Sequence, residues 1–209
     1  MNKEIEKKYQ LQALPDGLVN GNKIRQGYLD KEEYEVIMLI REKFGQEIDL
    51  ETIKEVRIRQ KGEEKAAKYY FTLKSDGTLE RDEYEVAIKA EEFIDLWPLA
   101  TEGTIEKIRY EVALDHELTG EIDRYDGNLE GLYTMEIEYD PESADAIALE
   151  EAVRSITDQA TDVTELKTFK NKVLAKIRSL EELALKIKKE QNEKMMRDLN
   201  ANPNQFNLA

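Results

Sequence analysis

The residues best suited to chemistry in this chain are charged side chains spaced two apart along strand-like segments. Glu4-Ile5-Glu6-Lys7-Lys8, Arg57-Ile58-Arg59, Arg81-Asp82-Glu83-Tyr84-Glu85, Lys107-Ile108-Arg109-Tyr110-Glu111, Glu121-Ile122-Asp123 and Glu136-Ile137-Glu138 all follow this pattern. Residues i and i+2 of a strand share a face, so each segment sets its charges on one side and its Ile or Tyr on the other. The basic members are Lys8, Arg57, Arg59, Lys74, Arg81, Lys107 and Arg109. A guanidinium fork matches phosphate oxygens and lysine adds a point charge, so such a set suits a linear polyphosphate better than a single carboxylate. The acidic members are Glu4, Glu6, Glu83, Glu85, Glu111, Glu121, Asp123, Glu136 and Glu138. They would repel bound phosphate unless divalent cations lie between them or basic neighbours neutralise them. Periodicity alone allows this face to be either solvated surface or the lining of a polar cavity.

Composition narrows the chemistry. Charged residues make up 37% of the 209 positions, well above the usual quarter or so of a globular domain. The net charge of −15 opposes nucleic acid and anionic membranes as partners, while leaving room for a small anion in a local basic pocket. The chain has no cysteine, which excludes disulfides, thiolate nucleophiles and structural zinc sites. His116 is the only histidine, so a bound metal would take oxygen ligands, which favours magnesium, manganese or calcium. No apolar leader-like stretch follows Met1, and the run Val36 to Ile40 is too short to span a membrane. These features lead to the expectation of a soluble, cytoplasmic protein.

The elements that must carry these charges are mostly strands. Strand patterns cover about 4–10, 23–29, 55–60, 68–74, 80–88, 105–114, 120–125 and 132–139. Turn chemistry links them at Lys61-Gly62, Asp76-Gly77, Thr119-Gly120 and Asp126-Gly127-Asn128. Short links make neighbours antiparallel, and closing so many strands removes exposed edges. The expected fold is α+β, a closed or nearly closed eight-stranded antiparallel β-barrel with helices packed outside. Helical periodicity places one helix in 31–54, with Tyr34, Ile37, Met38 and Ile40 on its stripe. A second falls in 90–100 with Phe93, Leu96 and Trp97, and a third in 141–156. Residues 171–199 read as one amphipathic helix through Val173, Ile177, Leu180, Ala184 and Ile187, followed by a frayed tail. We divide the chain into a main domain, 1–178, with a helical insert at about 31–54, and a C-terminal helical extension with a flexible tail, 179–209.

Taken in order, these segments resemble the CYTH family, the triphosphate tunnel metalloenzymes. Glu4-Ile5-Glu6-Lys7-Lys8 is similar to its ExExK signature, Arg25-Gln26-Gly27-Tyr28-Leu29 to RQGYL, Val56-Arg57-Ile58-Arg59 to VRIR, and Thr72-Leu73-Lys74 to its TxK strand. Arg81 to Glu85, Lys107-Ile108-Arg109, Glu121-Ile122-Asp123 with Gly131-Leu132, and Met135 to Glu138 continue the series, with a fainter match at Val163-Thr164 and Phe169 to Ala175. Phe169 stands where the family usually has Tyr, and the connection from Leu29 to Val56 is longer than usual, placing a helix that could cap one tunnel mouth.

The resemblance implies an eight-stranded triphosphate tunnel and hydrolysis of a triphosphate, tripolyphosphate first, dependent on Mg2+ or Mn2+. It implies that Glu136, Glu138 and Asp123 hold metal, while Glu4 and Glu6 hold a second metal or place the attacking water. Lys8, Arg57, Arg59, Lys74, Arg81, Lys107 and Arg109 would bind phosphate, with Lys107 also aiding catalysis together with Glu4 and Glu6. The remaining acids would hold the cations in place. Adenylate cyclase activity and silent polyphosphate binding are the alternatives; the His-Phe pair that family cyclases tend to carry is absent here. A small-molecule triphosphate is the expected partner, with no nucleic acid or membrane, and the C-terminal extension could contact a second copy in a homodimer.

Overall fold

The computed structural model describes residues 5–63, 66–75, 82–139 and 146–201. Alternation of charged with β-branched and aromatic residues produces the strands β1 (Ile5–Leu11), β2 (Asn22–Leu29), β3 (Ile53–Lys61), β4 (Lys68–Ser75), β5 (Glu83–Ile88), β6 (Thr104–Ala113), β7 (Thr119–Tyr125) and β8 (Tyr133–Tyr139). A short ninth, β9 (Ala160–Asp162), lies in a segment where the sequence suggested no strand. All pair antiparallel in one sheet with the order β5-β4-β3-β2-β6-β7-β8-β1-β9. The eight expected strands are therefore all present within a nine-stranded sheet. Among the described residues no ladder joins β5 to β9, so hydrogen bonds do not close the sheet into the expected barrel.

The register sorts the side chains. Arg57 pairs with Tyr28 and Thr72, Arg59 with Gln26 and Tyr70, Lys107 with Ile24 and Tyr125, and Glu136 with Lys8 and Glu121. These residues share one polar face. The opposite face is apolar and divides into two buried groups. In one, Leu29, Val56, Ile58, Phe71 and Leu73 pack under helix α1 (Tyr34–Phe44) and helix α2 (Ala90–Leu96), which contribute Val36, Ile40, Phe93 and Leu96. In the other, Tyr9, Leu11, Ile122, Met135 and Ile137 pack under helix α3 (Ala146–Ile156), through Leu149, Ala152 and Val153. Burying apolar area of this kind supplies roughly 25 cal/mol per Å² and is the main reason the helices dock. The insert helix α1 thus lies on the outer face. It turns Ile40 inward as expected, together with Val36 at helical spacing, while Tyr34 and Met38, expected on the same stripe, are exposed. Gly45, at φ 93°, ends α1 by donating its N–H to the Arg41 carbonyl.

A third apolar group closes one end of the polar face. Tyr28, Ile105 and Tyr125 meet Leu129, Leu132, Val163, Phe169, Leu174, Ile177 and Leu183. The last five come from a tail containing a single turn, α4 (Asn171–Leu174), and the long helix α5 (Leu180–Ala201). The single helix expected over 171–199 is therefore interrupted at 175–179. The Ala175 carbonyl accepts the Thr104 N–H instead of continuing a helix, which leaves both Ile177 and Leu183 free to enter the floor. One turn assignment also shifts. Thr119-Gly120 begins β7, and the chain reverses earlier, at Asp115–Glu117, where His116 and Glu117 both take positive φ. Asp76-Gly77, Pro141 and residues 202–209 lie outside the described residues. No described helix is long and apolar enough to cross a membrane.

Gly103 is the tightest backbone approach between the sheet and this tail. Its φ is 116°, and a Cβ there would lie 2.5 Å from the Ala175 carbonyl oxygen. Gly103→Ala should therefore lower unfolding stability by about 2–3 kcal/mol. Urea denaturation followed by circular dichroism tests this, and an unshifted midpoint would mean that the two backbones can separate at little cost.

Candidate active site

The polar face gathers its charges into two networks. The first spans β1, β6, β7 and β8. Lys107 Nζ donates to Asp123 Oδ2 at 2.5 Å, and Arg109 grips the same carboxylate through Nε at 2.7 Å and Nη2 at 2.6 Å. Arg109 Nη2 also reaches Glu136 Oε2 at 2.8 Å, and Lys8 Nζ donates to Glu136 Oε1 at 2.6 Å. Glu121 completes the pairing of Arg109. Lys8, Lys107, Asp123 and Glu136 are all buried, a position that charges tolerate only when paired and hydrogen-bonded.

The second network spans β3, β4 and β5 and is looser. Lys74 meets Glu83 at 2.7 Å and Arg59 meets Glu85 at 2.9 Å, while the Thr72 hydroxyl donates to Glu85 at 2.8 Å. Arg57 comes no nearer than 3.8–4.0 Å to Glu55, Glu83 and Glu85. The Nε atoms of Arg57 and Arg59 are buried, and neither has a hydrogen-bond partner among the described residues. A buried donor left unsatisfied costs about 1–3 kcal/mol, so an anion with several oxygens would be well received here.

The electrostatics follow from this geometry. Burial would weaken the Lys8 ammonium, but Tyr125 and Glu136 hold it above the ordinary lysine range. Burial would also raise Glu136; Lys8, Lys107 and Arg109 overcome it and keep the carboxyl far below the usual carboxylate range. Lys107 behaves differently. Complete burial, aided by Arg109 and opposed by Asp123, brings its amine down to about 8. Arg59 is lowered by burial and by the neighbouring Arg57.

At the solvent end of the face, Glu6 pairs across the ladder with Glu138, and Lys8 with Glu136. Glu6 reaches solvent, yet partial burial of its carboxyl raises its pKa, and repulsion from Glu136 and Glu138 adds to this against the pull of Lys8 and Arg109. Among the described residues no three acidic or histidine side chains converge into a ready-made metal site. The donor set of Glu6, Glu136 and Glu138 nonetheless fits a hard divalent cation: it is all oxygen, lies on adjacent strands and carries like-charge strain that a cation relieves. Asp123 fits less well, since it is fully buried; like Glu136, it already has both oxygens engaged by two cations, which a bound ion would have to share.

Of the residues singled out in the sequence, Lys8, Arg57, Arg59, Lys74, Lys107, Arg109, Asp123, Glu136, Glu6 and Glu138 thus share one face. Glu4 and Arg81 lie outside the described residues. Sequence reading passed over Gln26, Tyr28, Lys61 and Tyr125. Gln26 and Tyr28 are joined by a 2.8 Å hydrogen bond between side chains, and Tyr125 places its ring 5.5 Å from Lys107 Nζ. Lys61 extends the Arg57-Arg59 series by one more step of two, a signal present in the spacing. Arg25, by contrast, leaves the polar face and lies 4.4 Å above the Trp97 ring.

No protein-family model matches the chain. An inorganic triphosphatase of Nitrosomonas europaea is 36% identical to it over 172 residues, covering 82% of this chain and 96% of that protein. The crystal structure of an inorganic triphosphatase superposes with a TM-score of 0.57 at 31% identity, over 84% of this chain and 95% of the other. A second crystal structure of that protein gives 0.54 at 31% identity, over 82% and 97%.

Lys107 should carry its charge below about pH 8 and lose it above. Lysine-resolved NMR is expected to show one ammonium titrating near that pH and absent in Lys107→Arg. Anion affinity at the polar face should fall as pH rises through the same range. A lysine spectrum with no titration below pH 9.5 would contradict this.

Proposed function

The chain belongs to the CYTH family of triphosphate tunnel metalloenzymes, and from that premise we propose that it hydrolyses inorganic triphosphate with the help of Mg2+ or Mn2+. The observation that carries the phosphate assignment is that two of the three buried arginine Nε donors without described partners, those of Arg57 and Arg59, lie on the face that also holds Lys8, Lys74, Lys107 and Arg109. A linear triphosphate offers enough oxygens to engage such a row, which one carboxylate or one phosphate does not.

The sheet is best read as curled into a tunnel around this face. A flat sheet would hold β1 and β6 about 14 Å apart, three strand spacings. Glu6 on β1 nevertheless feels Arg109 on β6, and Lys107 on β6 feels Lys8 on β1. Long side chains cover part of that gap, and curvature of the sheet would bring the groups together over a shared lumen.

In this reading the chain's own residues do the following work. Arg57, Arg59 and Lys74 bind the phosphate oxygens on one wall, and Lys8, Lys107 and Arg109 bind them on the other. Their positive charge is fixed in place before substrate arrives, so it stabilises the charge that builds up during phosphoryl transfer without reorganisation. Glu83, Glu85, Glu121 and Asp123 hold those cations in position. Glu6, Glu136 and Glu138 would hold the divalent ion, with Glu4 a further candidate. A bound ion would supply Lewis-acid stabilisation of the phosphoryl group and a more reactive water.

Phosphate release from tripolyphosphate, ATP and thiamine triphosphate, compared side by side with Mg2+ or Mn2+, tests the proposal. Tripolyphosphate should be the preferred substrate, and silence with all three would sink the reading. Glu136→Gln should cut metal-dependent turnover by about 100-fold or more while leaving the circular dichroism spectrum unchanged. Full activity in that variant would remove Glu136 from the metal set.

A further inference from the structure

The floor of the polar face is tied to the C-terminal helix at one point. The tail between β9 and α4 makes a single 3-10 turn at Lys167–Phe169. The backbone N–H groups of Lys167 and Thr168 donate to the Glu190 carboxylate of α5 at 2.7 and 2.9 Å, and the Thr168 hydroxyl donates to it at 2.6 Å. Glu190 lies three and seven residues beyond Ile187 and Leu183, on the side of α5 that packs against the floor. Beyond it, Lys194 to Arg197 are exposed, so this carboxylate is among the last anchors of the helix on the domain.

The clamped turn is bonded upstream to Lys8 and downstream to Tyr125, the neighbour of Lys107. Upstream, the Val163 N–H donates to the Lys8 carbonyl at 2.9 Å, and the Thr164 hydroxyl oxygen accepts the Lys8 N–H at 3.0 Å. Downstream, Phe169 is 1% exposed within the floor, and the Asn171 side-chain oxygen accepts the Tyr125 hydroxyl at 3.1 Å. Tyr125 in turn packs its ring beside Lys107. One stretch of tail therefore touches the backbone of Lys8 and the immediate neighbour of Lys107, and Glu190 holds its middle.

We propose that Glu190 is a positioning residue for the triphosphate site: by clamping the Lys167–Phe169 turn, it sets the floor against which Lys8 and Lys107 are held. The inference rests on the phosphate-site reading above. It gives the C-terminal extension, which lies outside the family-like motifs, a defined role in substrate binding. A cap of this kind could also act only on stability, so the test must read the site itself.

The full-length protein is compared with Glu190→Gln, Glu190→Ala and the control Glu193→Gln, a neighbouring acid whose described ion pair is with Lys189 on the same helix. Amide hydrogen exchange is followed in peptides covering 5–11 and 163–175, and KM and kcat are measured for tripolyphosphate with Mg2+. Both Glu190 variants should exchange at least five-fold faster in both regions. KM should rise five- to twenty-fold with kcat within about three-fold, while the control stays at wild-type values. Unchanged exchange around Lys8, or unchanged KM despite a lowered melting temperature, overturns the proposal and leaves Glu190 a structural cap. If Glu190→Ala does not fold, the isosteric Glu190→Gln decides. If the wild-type protein releases no phosphate, the phosphate reading fails by itself. The exchange experiment then decides the clamp alone: faster exchange around Lys8 supports the coupling, and unchanged exchange overturns it.

Discussion

The arrangement of this fold depends on one constraint: a sheet face dense in lysine and arginine must be neutralised before it can be buried. An isolated ammonium or guanidinium loses several kcal/mol of hydration on burial. The chain offsets this by setting acidic strands beside basic ones, so that Lys107 and Arg109 of β6 meet Asp123 of β7, and Lys8 of β1 meets Glu136 of β8. The net negative charge does not contradict an anion site, because the basic groups are concentrated on one face and the acids that hold them lie on adjacent strands.

Once one face is committed to charge, the other must provide the core. Ile58, Phe71 and Leu73 under α1 and α2, and Ile122, Met135 and Ile137 under α3, follow directly from the period of two. The helices are thus a consequence of the charged face and not an independent layer. Helix α1 shows this most clearly: its position on the outer face is dictated by Val36 and Ile40, which have nowhere else to be buried.

This logic also explains what could be read from the sequence. Strand positions were legible because alternation is local, and membership of the polar face followed from parity alone. Arg57, Lys107 and Glu136 needed no tertiary information to be placed on the same side. Pairing was less legible, since which carboxylate holds which cation depends on the antiparallel register. The tail was the least legible part. Ala160–Asp162 has no strand-like alternation and becomes β9 only because β1 offers it an edge. The break at 175–179 arises from a sheet hydrogen bond at Ala175, a contact no helical period reveals. Tyr28 and Tyr125 read as ordinary apolar strand residues, although their hydroxyls engage Gln26 and Asn171 in the floor.

The two charge networks differ in a way that bears on how a site of this kind can bind tightly and still turn over. On the β1, β6, β7 and β8 side the cations are already satisfied at 2.5–2.8 Å, so a phosphate arriving there competes with existing carboxylate partners. On the β3, β4 and β5 side, Arg57 meets its carboxylates only at 3.8–4.0 Å, with the Tyr28 hydroxyl as a further partner, and has more to gain from a ligand. Binding energy would therefore come chiefly from the loose wall. The tight wall holds its charge at a geometry set by carboxylates on neighbouring strands. Rigid charge contributes most where negative charge increases during reaction, and loosely held charge contributes most on first contact. The division of one sheet face into a receptive wall and a fixed wall follows from carboxylate placement on neighbouring strands.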